Sequence, residues 1–201
     1  QFGILKYLID LGAHKIGNSL KFIRDCTVSA PLRMFKYITE TCGISPHIYD
    51  TYGIRIIGLR AQTEKLQYFI ANGIYTQRSL DRAARDSIKV EASATNLKIL
   101  LDAGANVTFR DWRCWRVDES HETAKLMVEA GLDVTVDDNY AIAPTHDTNI
   151  PVKTLKLLVG AGADIRARND HQLRRAIARD DQEVVEYIMS IIGYNPLEQQ
   201  N

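Results

Sequence analysis

The sequence has few of the residues that build covalent or metal-stapled scaffolds. It contains three cysteines, Cys26, Cys42 and Cys114, with no close spacing to one another or to a histidine. An odd, scattered set argues against a disulfide frame or a zinc site and fits free buried thiols in a reducing compartment. No apolar run approaches the length of a membrane span. Charge of one sign is not in excess: 25 basic residues face 25 acidic ones, for a formal net charge of zero. Bulk charge therefore favours neither nucleic acid nor an anionic membrane. There is no glycine-rich phosphate loop, because the glycines fall at the ends of apolar segments. A signal peptide is lacking too, but the chain opens at Gln1 without a methionine and reads as a fragment, so that lack carries no weight. The five histidines, His14, His47, His121, His146 and His171, are spread along the chain with no recurring third ligand or nucleophile. The expectation is a non-enzymatic protein with no cofactor and no metal.

What the sequence does have is a globular composition, 45% hydrophobic and 25% charged, and a repeat. Glycine-terminated segments read LKYLIDLG from Leu5, FKYITETCG from Phe35, LQYFIANG from Leu66, LKILLDAG from Leu97, AKLMVEAG from Ala124, LKLLVGAG from Leu155 and VEYIMSIIG from Val185. The first and fourth columns are apolar and the fifth nearly so, which is one buried helical stripe. The second column, Lys6, Lys36, Gln67, Lys98, Lys125, Lys156 and Glu186, is a solvent position. The third (Tyr7, Tyr37, Tyr68, Ile99, Leu126, Leu157, Tyr187) is apolar again, as expected of a helix held between a partner helix and a neighbouring repeat. The closing glycines Gly12, Gly43, Gly73, Gly104, Gly131, Gly162 and Gly193 are expected in the left-handed conformation that ends helices.

Gln1 aligns with Asp181, so the chain is expected to open at an outer helix. The apolar face of Phe2, Ile4, Leu5 and Leu8 then needs a partner from upstream. Inner helices are expected around 20–26, 54–60, 80–86, 112–117, 140–143 and 173–179. Pro144 should stop the fifth early, and Pro31 and Pro151 suit first turns. The stretch 88–95 is expected as an exposed loop. The units are an outer helix at 1–12, repeats at about 13–43, 44–73, 74–104, 105–131, 132–162 and 163–193, and a short polar tail at 194–201.

The phrases LLDAGANV, MVEAGLDV and LVGAGADI, and the unit ADIRARND-HQLRRAIARDDQEVVEYIM, resemble ankyrin repeats over essentially the whole chain. The family's T-P-L-H-x-A opening occurs nowhere, and APTH at 143–146 only echoes it. The N-D-x-x-L-R-x-A and E-V-V-E-Y style is similar to the ankyrin proteins of large DNA viruses of amoebae. The resemblance implies an all-α solenoid of stacked helix–turn–helix units with extended finger loops. It also implies an intracellular setting, host cytoplasm or virion, and a protein partner bound on the concave side of fingers and inner helices.

The charges sort by repeat position. Of 15 arginines only Arg33 lies on an outer helix. Fingers, inner helices and the turns after them hold the others, among them Arg78, Arg82, Arg85, Arg110, Arg113, Arg116, Arg166, Arg168, Arg174, Arg175 and Arg179. Lysines show the opposite bias. Arginine suits bidentate pairing and lysine a hydrated surface. The bland reading is ion-pair ladders with Asp81, Asp86, Asp111, Asp170 and Asp180, and it is favoured. The sharper reading is a groove that clamps an acidic partner segment. FRDWRCWR at 109–116 is a second candidate, since Trp and Arg often anchor interfaces. Trp112 is read as interface and Trp115 as core. Tyr49, Tyr75, Phe109 and Tyr140 are finger-tip candidates of the same kind. The partner-binding candidates are thus Arg82, Arg85, Arg110, Trp112, Arg113, Arg116, Tyr140, Arg174 and Arg175. The alternative is a structural component of an assembly such as a virion, and nucleic-acid binding through the arginine side ranks below both.

Overall fold

The structure, a computed structural model, describes residues 2–12, 31–42, 54, 62–89, 94–107, 121–143 and 150–193. Every regular element among the described residues is helical: α1 (Phe2–Asp10), α2 (Leu32–Cys42), α3 (Thr63–Ala71), α4 (Gln77–Lys89), α5 (Ala94–Asp102), α6 (His121–Glu129), the short α7 (Val136–Asn139), α8 (Val152–Gly160), α9 (Ala167–Ala178) and α10 (Gln182–Ile192). They belong to two compact units, Gln1–Asn106 and Val107–Asn201.

In the first unit α1 packs on α2, α3 on α5, and α4 on α5. Phe35 of α2 stacks on Phe69 of α3 at 5.1 Å between ring centroids. Leu66, Leu80, Leu97 and Leu100 are buried with them, each worth about 1.5–3 kcal/mol against exposure. In the second unit α6 packs on α8, α8 on α10, and α9 on both α10 and α7. Met127, Ile142, Leu155, Leu158 and Ile188 fill its core.

Within the glycine-terminated helices the buried stripe is not quite the expected one. The first and fourth columns are buried at Leu66/Phe69, Leu97/Leu100, Ala124/Met127 and Leu155/Leu158. The fifth column is only half-buried at Ile70, Leu101, Val128, Val159 and Met189. The third buried position is instead the residue before column one: Lys65, Asn96, Thr123, Thr154 and Val184. Four of the five are polar. Lys65, expected among the solvated lysines, is one of them.

The described closing glycines all have positive φ, from 63° at Gly73 to 103° at Gly162; Gly43 lies outside the described residues. At Gly104 the N–H donates to the Leu101 carbonyl and the next N–H, of Ala105, donates to the Leu100 carbonyl. That paired return of the chain satisfies the last helical acceptors. The same two bonds recur at Gly73, Gly131 and Gly162.

Three sequence expectations shift. The stretch after residue 87 is not loop from the start: α4 runs to Lys89, Ile88 is buried, and α5 begins at Ala94. Residues 140–143 form hydrogen-bonded turns, with the Ile142 and Ala143 N–H groups both donating to the Asn139 carbonyl. Pro144 follows at once, and it disfavours the helical conformation of Ala143 before it. Tyr7 of α1, a third-column residue expected to be covered, is 64% exposed; Leu11, just past the helix, is open at 63% and Ile4 at 67%, while Ile9 is buried. The expected inner helices at 20–26 and 112–117 lie outside the described residues, as do 54–60 apart from buried Ile54 and the tail at 194–201.

Candidate partner-binding surface

After Gly73, Gly131 and Gly162 a short described segment, the expected finger, leads into α4, α7 and α9. In the second unit each finger turns through residues with left-handed dihedrals: Asp137, Asp138 and Asn139 in one, and Arg168, Asn169 and Asp170 in the next. Asn and Asp tolerate this conformation better than other side-chain-bearing residues, which explains their density here. Three short bonds set up the approach. The Thr135 N–H and hydroxyl both donate to Asp133 Oδ1, at 2.8 and 2.7 Å, and the Arg166 N–H donates to Asp164 Oδ1 at 2.9 Å. The bonds from the Thr135 hydroxyl and N–H hold the Asp133 carboxyl below the usual carboxylate range.

One finger is tied to the element before it by a bond that recurs in both units. The Asn106 N–H donates to Asp81 Oδ1 at 2.7 Å, and the Asp164 N–H donates to Asn139 Oδ1 at 2.8 Å; each spans 25 residues. A second recurring pair joins the starts of glycine-terminated helices, α3 to α5 and α6 to α8, over 33 residues. The Thr63 hydroxyl donates to Asn96 Oδ1 at 2.8 Å, and His121 Nδ1 and the Thr154 hydroxyl are 3.1 Å apart. A third links the second and third columns: Lys6 lies over the Tyr37 ring, Lys36 over Tyr68 and Lys156 over Tyr187, at 6.0, 4.8 and 5.4 Å. These lysines face solvent with one side and a ring with the other.

The finger-side arginines divide into two groups. Arg168 is internal. Its Nη2 donates to the Asp137 carbonyl at 2.7 Å and its Nε to the Asp138 carbonyl at 3.2 Å. Its guanidinium lies 5.3 Å from the Tyr140 ring centroid. Arg166 pairs with Asp170 at 3.1 Å, and that bond raises its pKa further above the ordinary guanidinium value. Arg174, a predicted partner contact, turns back on its own finger. Its Nε and Nη2 donate to the Asn169 and Arg168 carbonyls at 2.9 and 3.2 Å. Arg85 and Arg175 are half-buried and already engaged within the protein.

Arg82 differs. It is exposed, and among the described residues it has no hydrogen-bond or ion-pair partner; Arg78, one turn earlier, is the same. Both lie on α4, opposite the buried row Leu80, Ala83, Ala84, Ser87 and Ile88. That row has helical spacing, so the exposed face is fixed by the core beneath it. The start of α4 is locked by Thr76 and Ser79. The Thr76 N–H donates to Ser79 Oγ at 2.9 Å and the Ser79 N–H returns to Thr76 Oγ1 at 3.3 Å, a reciprocal cap. Gln77 Nε2 reaches both Asp81 Oδ1 and the Gly104 carbonyl, at 2.7 and 2.8 Å.

Tyr140, expected as an exposed finger-tip anchor, is instead 8% exposed under the Arg168 guanidinium. Arg110, Trp112, Arg113 and Arg116 lie outside the described residues. Among the described candidates Arg82 is open, and Tyr140, Arg85, Arg174 and Arg175 are occupied. Arg78 completes the open pair; the four-residue spacing to Arg82 was the signal for it in the sequence. Among the described residues no group of three or more His, Cys, Asp or Glu side chains is placed to hold a metal ion. No described helix is long and apolar enough to cross a membrane. Compared with protein-family models, curated proteins and solved structures, the chain matches none of them.

Proposed function

We propose that the chain is a non-enzymatic repeat module of the ankyrin type that binds a protein partner through the side formed by its inner helices and fingers. What supports the repeat assignment is recurrence at fixed register: the same finger bond, the same outer-helix pair and the same lysine-over-tyrosine contact. A unit that cannot bury its own apolar face leans on the next. The observation that carries the function is Arg78 and Arg82, two exposed cations without a partner among the described residues, where Arg85, Arg166, Arg168, Arg174 and Arg175 are engaged within the protein. Arginine presents five donors in a fixed fork, so an unused pair on a rigid helix favours recognition of another molecule.

The test is a photocrosslinking comparison. Benzoylphenylalanine replaces Tyr75, on the finger leading into α4, or Gln67, exposed on outer helix α3. A specific partner is expected to crosslink from position 75 and not from 67. Crosslinking from 67 alone would move the interface to the outer helices, as a structural component of an assembly would require.

A further inference from the structure

We infer that Arg78 and Arg82 seat an acidic peptide segment held in extended conformation, with carboxylates at alternate positions. The inference rests on the proposal above that this side meets a protein. It adds the chemistry and shape of what is met.

The arginines sort by use. Arg166, Arg168 and Arg174 spend their guanidinium groups on the finger carbonyls and on Asp170. Arg78 and Arg82 do none of this, although Asp81 is adjacent. Asp81 Oδ1 instead takes the Gln77 amide and the Asn106 N–H. Arg78 also sits in the first turn of α4, where the helix dipole disfavours a cation. No internal contact among the described residues offsets that, so an anion from outside would.

Spacing decides the shape. Side chains four apart on a helix stand about 5–6 Å from each other, and alternate residues of an extended chain about 6.6 Å. Two carboxylates of an Asp/Glu-Xaa-Asp/Glu run can therefore each meet one guanidinium in a bidentate pair. A helical partner needs apolar anchors in a groove. None of the exposed large apolar residues described, Ile4, Tyr7, Leu11, Ile177 and Ile191, lies on α4. A nucleic-acid backbone, a long polyanion, fits less well, because the chain offers it no net positive charge.

The full chain, isotope-labelled, is titrated by NMR with three probes: a peptide containing Gly-Glu-Gly-Glu-Gly, its Gln counterpart, and a single-stranded oligouridylate. The acidic peptide is expected to shift amides of α4. Its affinity should fall about tenfold in Arg78→Gln/Arg82→Gln and hold in Lys98→Gln/Lys125→Gln, which alters two exposed outer-helix cations. Equal loss in both variants, equal binding of the Gln peptide, or preference for the oligouridylate would each overturn the inference. So would no binding at all; if position 75 still crosslinks to a protein, only the partner chemistry is wrong and the interface stands.

Discussion

Arg168 combines two opposing effects in one residue. Its φ of 53° is costly for a side-chain-bearing residue, by about 1–2 kcal/mol. Against that stand two hydrogen bonds to finger carbonyls and a ring contact with Tyr140, together about 2–3 kcal/mol before solvent discounts. The ion pair with Asp138 adds little, since that carboxylate is 70% exposed. Arg168→Ala is expected to lose the contacts and keep the strain, lowering stability by about 1–2 kcal/mol. Arg168→Gly loses the same contacts but relieves the dihedral, and should recover about 1 kcal/mol of that loss. Denaturant midpoints of the two variants check the order; equal midpoints would mean the left-handed turn stores no strain. The sequence placed Arg168 on a finger beside possible ion-pair partners, and to that extent it was legible. It carried no sign that the residue would cover Tyr140, because that depends on how two fingers thirty residues apart come together.

At the scale of the element, the glycine-terminated helix was the most readable part of the chain. Columns one and four at Leu66/Phe69, Leu97/Leu100 and Leu155/Leu158 follow from apolar periodicity alone, and they are buried. The row before column one was hidden because Lys65, Asn96, Thr123 and Thr154 are polar, and a hydrophobic period cannot register a buried hydrogen-bonded position. Fingers were hidden for another reason: three successive left-handed residues leave only a surplus of Asn and Asp, which also marks ordinary turns. The helix stops yield a clean prediction. Gly104 has φ 91°, and a Cβ built there meets nothing within 4 Å. Gly104→Ala should therefore lose stability through backbone conformation alone, by about 1–2 kcal/mol. D-Alanine introduced at the same position by chemical ligation adds the same methyl with the opposite backbone preference. It should match or exceed the glycine protein in thermal melting, and equal losses from both enantiomers would mean that crowding is responsible.

At the scale of the molecule, the packing among the described helices of each unit joins elements that are near one another in sequence. The finger bond and the helix-start pair reach only 25 and 33 residues, so each joins described elements that are close in sequence. Val107–Asn201 contains one complete instance of each: Asn139 to Asp164, and His121 to Thr154. It also holds a Lys156–Tyr187 contact and a core running from Ala124 through Leu158 to Ile188. Additive nearest-neighbour energetics then allow a piece to fold when it retains its own interfaces. A polypeptide of residues 107–201 is expected to be helical and to melt cooperatively, less stable than the full chain because fewer interfaces remain. Circular dichroism and amide exchange check this, with the Asp164 amide protected by its bond to Asn139. A fragment that is unfolded in buffer would show that the second unit depends on residues before 107. If the fragment folds but its Asp164 amide exchanges freely, the finger bond is no local rung, and the repeat logic fails at the contact that most directly expresses it.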